Sequence, residues 1–547
     1  MKKLYLLFVS LVALTLRAER VVEDFCTGWE FSHDCKTWRQ VDVPHDWAVE
    51  EGFVAEGDPH TGKLPWQGVG YYRRHLVLPK APSGRRVFLD FDGIMCEGTV
   101  FVNDQPCGRR TYGYLGLCAD ATPYLYAGTN TVVVRADTTK LKPRWYPGAG
   151  LYRPVRLVET DDLYVDASDV AVTTPTVTAE KAVVCVEGAV TSRRLADETV
   201  AVSAEVRDPD GRTVARAGKG GLTVVRCGKA SFSLRLEVKA PRLWTMTDNA
   251  ALYTTVVRLE GGNAADEVSF RMGFRTFAFD AETGFSLNGE RVQLKGVCLH
   301  SDLGILGMAF NRSAMRRQLA KMRDMGANAL RTSHNPPAPE VLDLCDEMGI
   351  FVWDECFDKW DETAGRKPEQ NLEEFVVRNL QQFVRRDRNH PCVICWSISN
   401  EIGLGNPNGG DDRQTRERNR LFVQTIKALD QTRPVAAGLA SRELLDGDVL
   451  EDLDVQGWNY EHNYAVARKR FPGVPLVYSE SASAVSSFGW YRLPPTCGKT
   501  DFPTDVRQAD GYDLTSAWCG DIPDVEFNRV DNDRYLAGEF VWTGIDY

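Results

Sequence analysis

Three regimes of hydrophobic spacing follow one another along the 547 residues. From about residue 20 to 160, short β-type runs (86–91, 99–103, 131–136 and 152–159) are broken by Gly, Pro and Asn, the pattern of strands joined by tight turns. No helical period intervenes, so this stretch predicts a β-sandwich. From about 162 to 277 the pattern repeats at smaller scale, with alternating runs at 200–206, 231–238 and 252–259 that predict an immunoglobulin-like sandwich. After Asp280 the period changes. Apolar runs at 291–298, 327–332, 350–354, 393–399, 435–439, 453–458, 475–479 and 536–542 now alternate with helical segments such as 313–325, 340–347, 372–385 and 413–429. Eight strands alternating with helices meet the requirement of a closed (β/α)8 TIM barrel.

The domain scheme is therefore a leader at 1–18, a first sandwich at 20–160, a second sandwich at 162–278 and a barrel at 279–547. Met1-Lys2-Lys3, the apolar run from Leu4 to Leu16 and Ala18 match a signal peptide, and about 13 apolar residues fall short of the ~20 needed to span a bilayer. A soluble periplasmic or secreted protein is expected, with no membrane association after cleavage. A net charge of −11 and the absence of a Lys/Arg block argue against nucleic acid or an anionic membrane as partner. Many of the 14 cysteines sit inside apolar runs, where a free thiol behaves as a small hydrophobe, so mostly buried thiols are expected. Cys392 and Cys395 form a C-x-x-C inside a strand, without a second pair at zinc spacing, and read as structural.

Barrel chemistry sits at the carboxyl ends of the strands, so residues ending each apolar run converge on one mouth. Glu401, after the fourth run, and Glu480, ending the seventh, are 480 − 401 = 79 residues apart in sequence and can meet there. Two carboxyls so placed supply what cleavage of a glycosidic bond needs, one to protonate the leaving oxygen and one to attack the anomeric carbon. The same rule collects His300, Arg331, His334, Asp354, Glu355, Tyr460 and Trp542 into a polar pocket with aromatic walls.

Val43-Pro-His-Asp-Trp47, Gly70-Tyr-Tyr-Arg73, Arg144-Trp-Tyr-Pro-Gly148 and Leu151-Tyr-Arg153, with Arg331-Thr-Ser-His-Asn-Pro-Pro337 and Gly538-Glu-Phe-Val-Trp-Thr-Gly-Ile-Asp-Tyr547, carry a resemblance over nearly the whole chain. The sequence resembles glycoside hydrolase family 2 of the β-galactosidase type, whose first sandwich is a jelly roll. The resemblance implies a retaining exo-acting hydrolase of terminal β-D-galactosides, with Glu401 as general acid/base and Glu480 as nucleophile. Retention implies carboxyl groups about 5–5.5 Å apart. Arg331 and Tyr460 would hold the Glu480 carboxylate ionised and oriented, and Asn400 would bond the sugar 2-hydroxyl. Trp542 would carry the apolar face of a sugar, with Trp396 either lining the same wall or filling the core. His300 and His334 would surround the glycone, and Asp137 would reach from the first sandwich to distal hydroxyls.

Departures from the family pattern bear on substrate and stability. Where close relatives read His-His-Asp-Leu-Gly, this chain has His300-Ser-Asp-Leu-Gly304, so one glycone contact differs. Metal-dependent members carry ligands shortly after strand three, where this chain has Phe357-Asp-Lys-Trp360, so neither catalytic metal nor cofactor is expected. Tyr547 follows strand eight directly, which predicts a barrel truncated after that strand, its final helix missing and one apolar flank unclad. Glu355-Cys-Phe-Asp-Lys-Trp360 and Gly457-Trp-Asn-Tyr460 are galactosidase-like. A β-glucuronidase and a catalytically inactive carbohydrate-binding fragment remain as alternatives, and a homo-oligomer is compatible with the sequence.

Overall fold

The computed structural model describes residues 20–247, 250–402, 412–495, 498–499 and 508–546; the leader at 1–18 lies outside them. The first unit packs two antiparallel sheets. One has four strands in the order Val21–Asp24, Val155–Asp161, Arg85–Phe91 and Leu117–Asp120, and the other is a six-stranded sheet centred on Val69–Leu78 and Gly128–Asp137. In Gly128–Asp137 buried and half-buried positions alternate, so Asn130, Val132, Val134 and Ala136 face the core as the period of two requires. The second unit is a sandwich of two four-stranded sheets, one built on Lys181–Ser192 and Lys229–Lys239, the other on Glu198–Arg207 and Tyr253–Gly261.

The third unit is a closed barrel of eight parallel strands: Leu294–Leu299, Ala329–Thr332, Phe351–Glu355, Val393–Asn400, Val435–Leu439, Val455–Asn459, Leu476–Ala482 and Leu536–Trp542. Each overlaps one of the eight predicted runs. Strands three to seven are buried along their whole length, which explains why they read as unbroken apolar runs rather than alternating ones. A three-stranded unit, Phe277–Asp280, Gly284–Leu287 and Glu290–Val292, leads into the barrel, and its Phe285 ring lies 5.1 Å from Phe351. Gly284 takes a left-handed φ of 80°, and a Cβ there would stand 2.7 Å from the Leu536 carbonyl oxygen. Only glycine lets this turn press against strand eight.

Helices Arg312–Asp324, Pro339–Met348, Leu372–Asp387 and Asp412–Lys427 match the predicted segments. Three others, the short helix Trp47–Glu51 in the first unit and Asn463–Arg470 and Pro523–Asn532 in the barrel, escaped the reading; Asn463–Arg470 has no one-sided apolar stripe, the signal on which helix prediction rests. On the outer wall, Leu294, Val297, Met325, Phe527 and Val541 line an open groove of about 510 Å³ between strands one and eight. The cysteines correct one expectation. Among the described residues thirteen are free thiols, six buried, four half-buried and three exposed, so burial is common without being the rule.

One hydrophobic core runs unbroken from the first sandwich into the barrel, whereas the second sandwich keeps its own. Polar contacts lock that shared boundary. Arg153, 1 % exposed, donates to the carbonyls of Tyr114 (2.8 Å) and Pro336 (2.9 Å), and the Asp46 carboxylate accepts from the Tyr146 hydroxyl (2.6 Å) and the Met308 N–H (2.9 Å). A buried guanidinium without these acceptors would be strongly disfavoured, so the joint has one orientation. This fixes the loop carrying Arg144 and Trp145 over the barrel mouth.

Candidate active site

A pocket of about 210 Å³ opens at the carboxyl ends of the strands, lined by Arg144, Trp145, His334, Asn400, Glu401, Tyr460, Glu480 and Trp542. Six of these side chains come from the barrel and two from the first sandwich. Glu401 leaves strand four with φ 52°, a left-handed backbone, and its N–H donates to the Gly438 carbonyl at 2.7 Å. Non-glycine residues hold this conformation only where the surroundings impose it. Glu480 sits within strand seven, 3 % exposed.

Arg331, fully buried on strand two, organises the floor. Its Nη1 donates to Glu480 Oε1 at 2.7 Å, its Nη2 to Glu355 Oε2 and Asn400 Oδ1, both at 2.9 Å. The Tyr460 hydroxyl also donates to Glu480, whose backbone carbonyl accepts from the Tyr460 N–H at 2.8 Å. Burial nonetheless pushes the Glu480 carboxyl up to about 7, with Arg331 pulling down and the neighbouring Glu401 charge pushing up. Two donors, Arg331 and the Tyr460 hydroxyl, aim at the Glu480 carboxylate and oppose that rise. Burial and the Glu480 charge hold the Tyr460 phenol well above its ordinary range, so it stays a donor.

A second ring of bonds fixes the Asn400 and Glu401 side of the pocket. Asn459 Nδ2 donates to Asn400 Oδ1 (3.1 Å) and Glu401 Oε1 (3.2 Å), and Asn400 Nδ2 donates to Asp358 Oδ1 (3.2 Å). Arg144 closes the ring from the first sandwich with a two-pronged pair to Asp358, 2.7 Å on each prong. Against the cost of burial, the Lys359 and Arg144 charges hold Asp358 down at about 2. His334 rests its Nδ1 on Glu355 at 2.5 Å and stacks on Trp542, centroids 5.3 Å apart and planes 5° from parallel. Burial and the Arg331 charge push His334 well below its usual range, and burial pushes His300 down to about 3, so both are neutral imidazoles at ordinary pH.

The structure brings together Glu401, Glu480, Asn400, Tyr460, His334 and Trp542 as pocket walls. Arg331 and His300 stand behind that wall: Arg331 acts through Glu480, and His300 packs between Trp145 (4.5 Å) and Trp542 (5.4 Å). Asp137 is the correction. Its carboxylate binds Arg135 Nη2 (2.7 Å), Thr139 Oγ1 (2.6 Å) and Thr139 N (3.0 Å), capping its own turn beside a different cavity, so it does not line the pocket. Arg144 and Trp145 line the pocket from the first sandwich instead; both lie in a motif already visible in sequence, but no strand rule pointed to them. Trp396 belongs to the core, 0 % exposed with its Nε1 on Asp430 at 2.9 Å. Asp354 and Glu355 separate by strand alternation, Glu355 facing the Arg331 network while Asp354 accepts from Thr332 Oγ1. The strand-end rule reaches only as far as Glu355 on strand three, so it misses Asp358 and Lys359, whose partners Arg144 and the Asn400 carbonyl are remote in sequence.

Among the described residues one set of His, Cys and acidic side chains has ligand atoms within 4.8 Å of one another: Asp346, His390 and Cys392. It lies at the opposite end of strand four from Glu401. His390 Nδ1 stands 2.6 Å from Asp346 Oδ2 and the Cys392 N–H donates to Asp346 Oδ1 at 2.9 Å, which satisfies the carboxylate from within the protein.

Fold and site together define a (β/α)8 barrel protein with a carboxylate pair in its mouth, fronted by two β-sandwiches. Comparison with known proteins makes the class specific. Residues 281–447 match the model of the glycosyl hydrolases family 2 TIM barrel domain, and 163–275 match a second model, glycosyl hydrolases family 2. The chain belongs to glycoside hydrolase family 2. It is 35 % identical to beta-galactosidase BoGH2A of Bacteroides ovatus over 93 % of this chain and 64 % of that protein. It is 29 % identical to a beta-glucuronidase of Bacteroides fragilis over 83 % of this chain and 65 % of that one. A crystal structure of a family 2 member from Bacteroides cellulosilyticus superimposes with TM-score 0.80 and 32 % identity, covering 96 % of this chain and 67 % of the other. The chain thus spans about two thirds of the length of these relatives.

Proposed function

We propose that the protein is a retaining exo-glycoside hydrolase that removes terminal β-linked galactose by double displacement. The observation that carries this reading is the pair of carboxyls in one small pocket with unequal partners: Arg331 and Tyr460 on Glu480, Asn459 on Glu401. Glu480 attacks the anomeric carbon while Glu401 gives its proton to the leaving oxygen, forming a glycosyl-enzyme. Glu401, now ionised, takes a proton from water, which displaces Glu480 from the same carbon. On this reading Asn400, held by Arg331 and Asp358, bonds the 2-hydroxyl. The pocket, about 210 Å³, is smaller than the roughly 300–1,000 Å³ of sites for drug-sized ligands, which favours one terminal sugar ring over a chain.

Galactose is favoured by the name of the 35 % identical relative and by the Glu355–Trp360 and Gly457–Tyr460 segments. A β-glucuronidase is the second reading, favoured by the Arg144 guanidinium in the pocket wall, although Asp358 already neutralises it. The deciding assay is aglycone release from aryl β-galactoside and aryl β-glucuronide, side by side with the Glu480→Gln variant. Galactoside turnover that the variant loses supports the proposal, and proton NMR of the first-formed sugar reads retention directly. Glucuronide turnover alone selects the second reading. Sugar binding without turnover by a cooperatively melting protein would mean an inactive carbohydrate-binding chain. The Met1–Ala18 leader supports a periplasmic or secreted location, tested by fractionating cells that express the full chain.

A further inference from the structure

Lys359 occupies a place that the two-carboxylate chemistry does not by itself call for. It follows strand three in the segment Phe357–Trp360, and its side chain is only 9 % exposed. Its ammonium donates to the Asn400 carbonyl at 2.6 Å, stands 3.4 Å from Asp358 Oδ1 and reaches within 3.9 Å of Glu401 Oε2. The Asn400 carbonyl belongs to the peptide whose N–H is that of Glu401, and that N–H is held by the Gly438 carbonyl at 2.7 Å. One peptide unit is therefore gripped at both ends where the chain enters a left-handed turn.

The charges around this point are close to balance. Glu355, Asp358, Glu401 and Glu480 face three cations, Arg144, Arg331 and Lys359, while His300 and His334 are neutral. One proton on the carboxylates makes the cluster neutral; when Glu401 gives that proton to the leaving oxygen, Glu480 loses its charge to the glycosyl ester, so the cluster stays neutral while the negative charge passes from Glu480, beside Arg331, to Glu401, beside Lys359. Of the three cations, Arg331 is committed to Glu480, Glu355 and Asn400, and Arg144 to Asp358, whereas Lys359 stands between Asp358, at 3.4 Å, and Glu401, at 3.9 Å, and is the one in salt-bridge range of Glu401. Also acting on Glu401 are Asn459 by hydrogen bond and Glu480 and Arg144 by charge, while the Glu401 charge itself raises the Tyr460 phenol and the Cys519 thiol.

We propose that Lys359 is a positioning residue for the general acid/base: it fixes the Asn400–Glu401 peptide and stabilises the Glu401 carboxylate after proton transfer. This rests on Glu401 acting as the acid/base. A cation 3.9 Å from a carboxylate favours the ionised form, so its loss makes the acid hold its proton to higher pH.

The test is the pH profile of kcat/KM for Lys359→Met and Lys359→Arg, with aryl glycosides of poor and good leaving groups. In Lys359→Met the basic limb moves up by at least about half to one pH unit, the shift expected of a charge at this distance when solvent screens it fully. The rate falls more for the poor leaving group, which needs the proton. Lys359→Arg, which keeps the charge, restores the limb. A purely structural role would lower the rate at every pH and leave the limb in place, and that result overturns the proposal, as does an Arg variant that shifts as far as Met. Should the Met variant fail to melt cooperatively, Lys359→Gln, uncharged but still a donor, takes its place. A Glu401→Ala variant that azide rescues, beside an unmoved limb, sinks the proposal alone; one that azide does not rescue removes the acid/base reading, and the proposal with it.

Discussion

Replacing Glu480 by Gln tests the electrostatics of the site through stability as well as catalysis. The carboxyl ordinarily titrates at 4.5 and burial lifts it to about 7 in the folded protein. Between these two values the native state holds a proton that the unfolded state has released, so native stability falls as pH rises from 4.5 through 7. The gap of roughly 2.5 units, at about 1.4 kcal/mol per unit, makes the ionised carboxylate cost on the order of 3 kcal/mol above pH 7 and nothing below 4.5. Glutamine has the shape of the protonated acid and never carries the charge. On the proposed mechanism Glu480→Gln is expected to abolish turnover and yet to be more stable than the wild type at pH 8, by about 5 °C in Tm for a unit the size of the barrel. The difference should shrink towards zero at pH 5. Thermal melts of both proteins at half-unit steps from pH 5 to 8.5 measure it. A Tm difference that does not change with pH, or a variant less stable at pH 8, would refute the reasoning, since the Arg331 attraction would then outweigh burial.

Three further outcomes follow from the same geometry. In the proposed mechanism Glu480 attacks as its carboxylate, so kcat/KM should decline as pH falls below about 7, and initial rates under low-substrate conditions from pH 5 to 9 read this acid limb. Arg331→Met leaves Glu355 and Glu480 buried without their shared cation, so chemical denaturation should show a loss of roughly 3–5 kcal/mol, the scale for breaking a buried charge network. Arg144→Ala frees Asp358 and removes part of the pocket wall, so kcat/KM should fall at least tenfold, whereas Asp137→Ala, which removes only a local turn cap, should stay within twofold; steady-state kinetics on one aryl galactoside compares them.

The order of domains, the eight barrel strands and the two glutamates were legible in the sequence because each depends on local or periodic signals. A strand buried on both faces must be apolar along its length, and strand-end residues of a barrel must converge. Asn400, Tyr460, His334 and Trp542 lie at such ends, so the same rule reached them. It reached Arg331 and His300 as well, but position along a strand does not say whether a side chain meets the ligand or stands behind one that does. What the first sandwich contributes depended on how two separate units dock. Their shared core and the Arg153 and Asp46 contacts turn one loop so that Arg144 and Trp145 enter the mouth while Asp137, seven residues earlier than Arg144, caps its own turn. The role of Lys359 was equally hidden, because its partner is a backbone carbonyl 41 residues away and no side-chain pattern encodes that contact. Periodicity carries strands and their ends; distances between units, and the charge balance they create, exist only once the chain has packed.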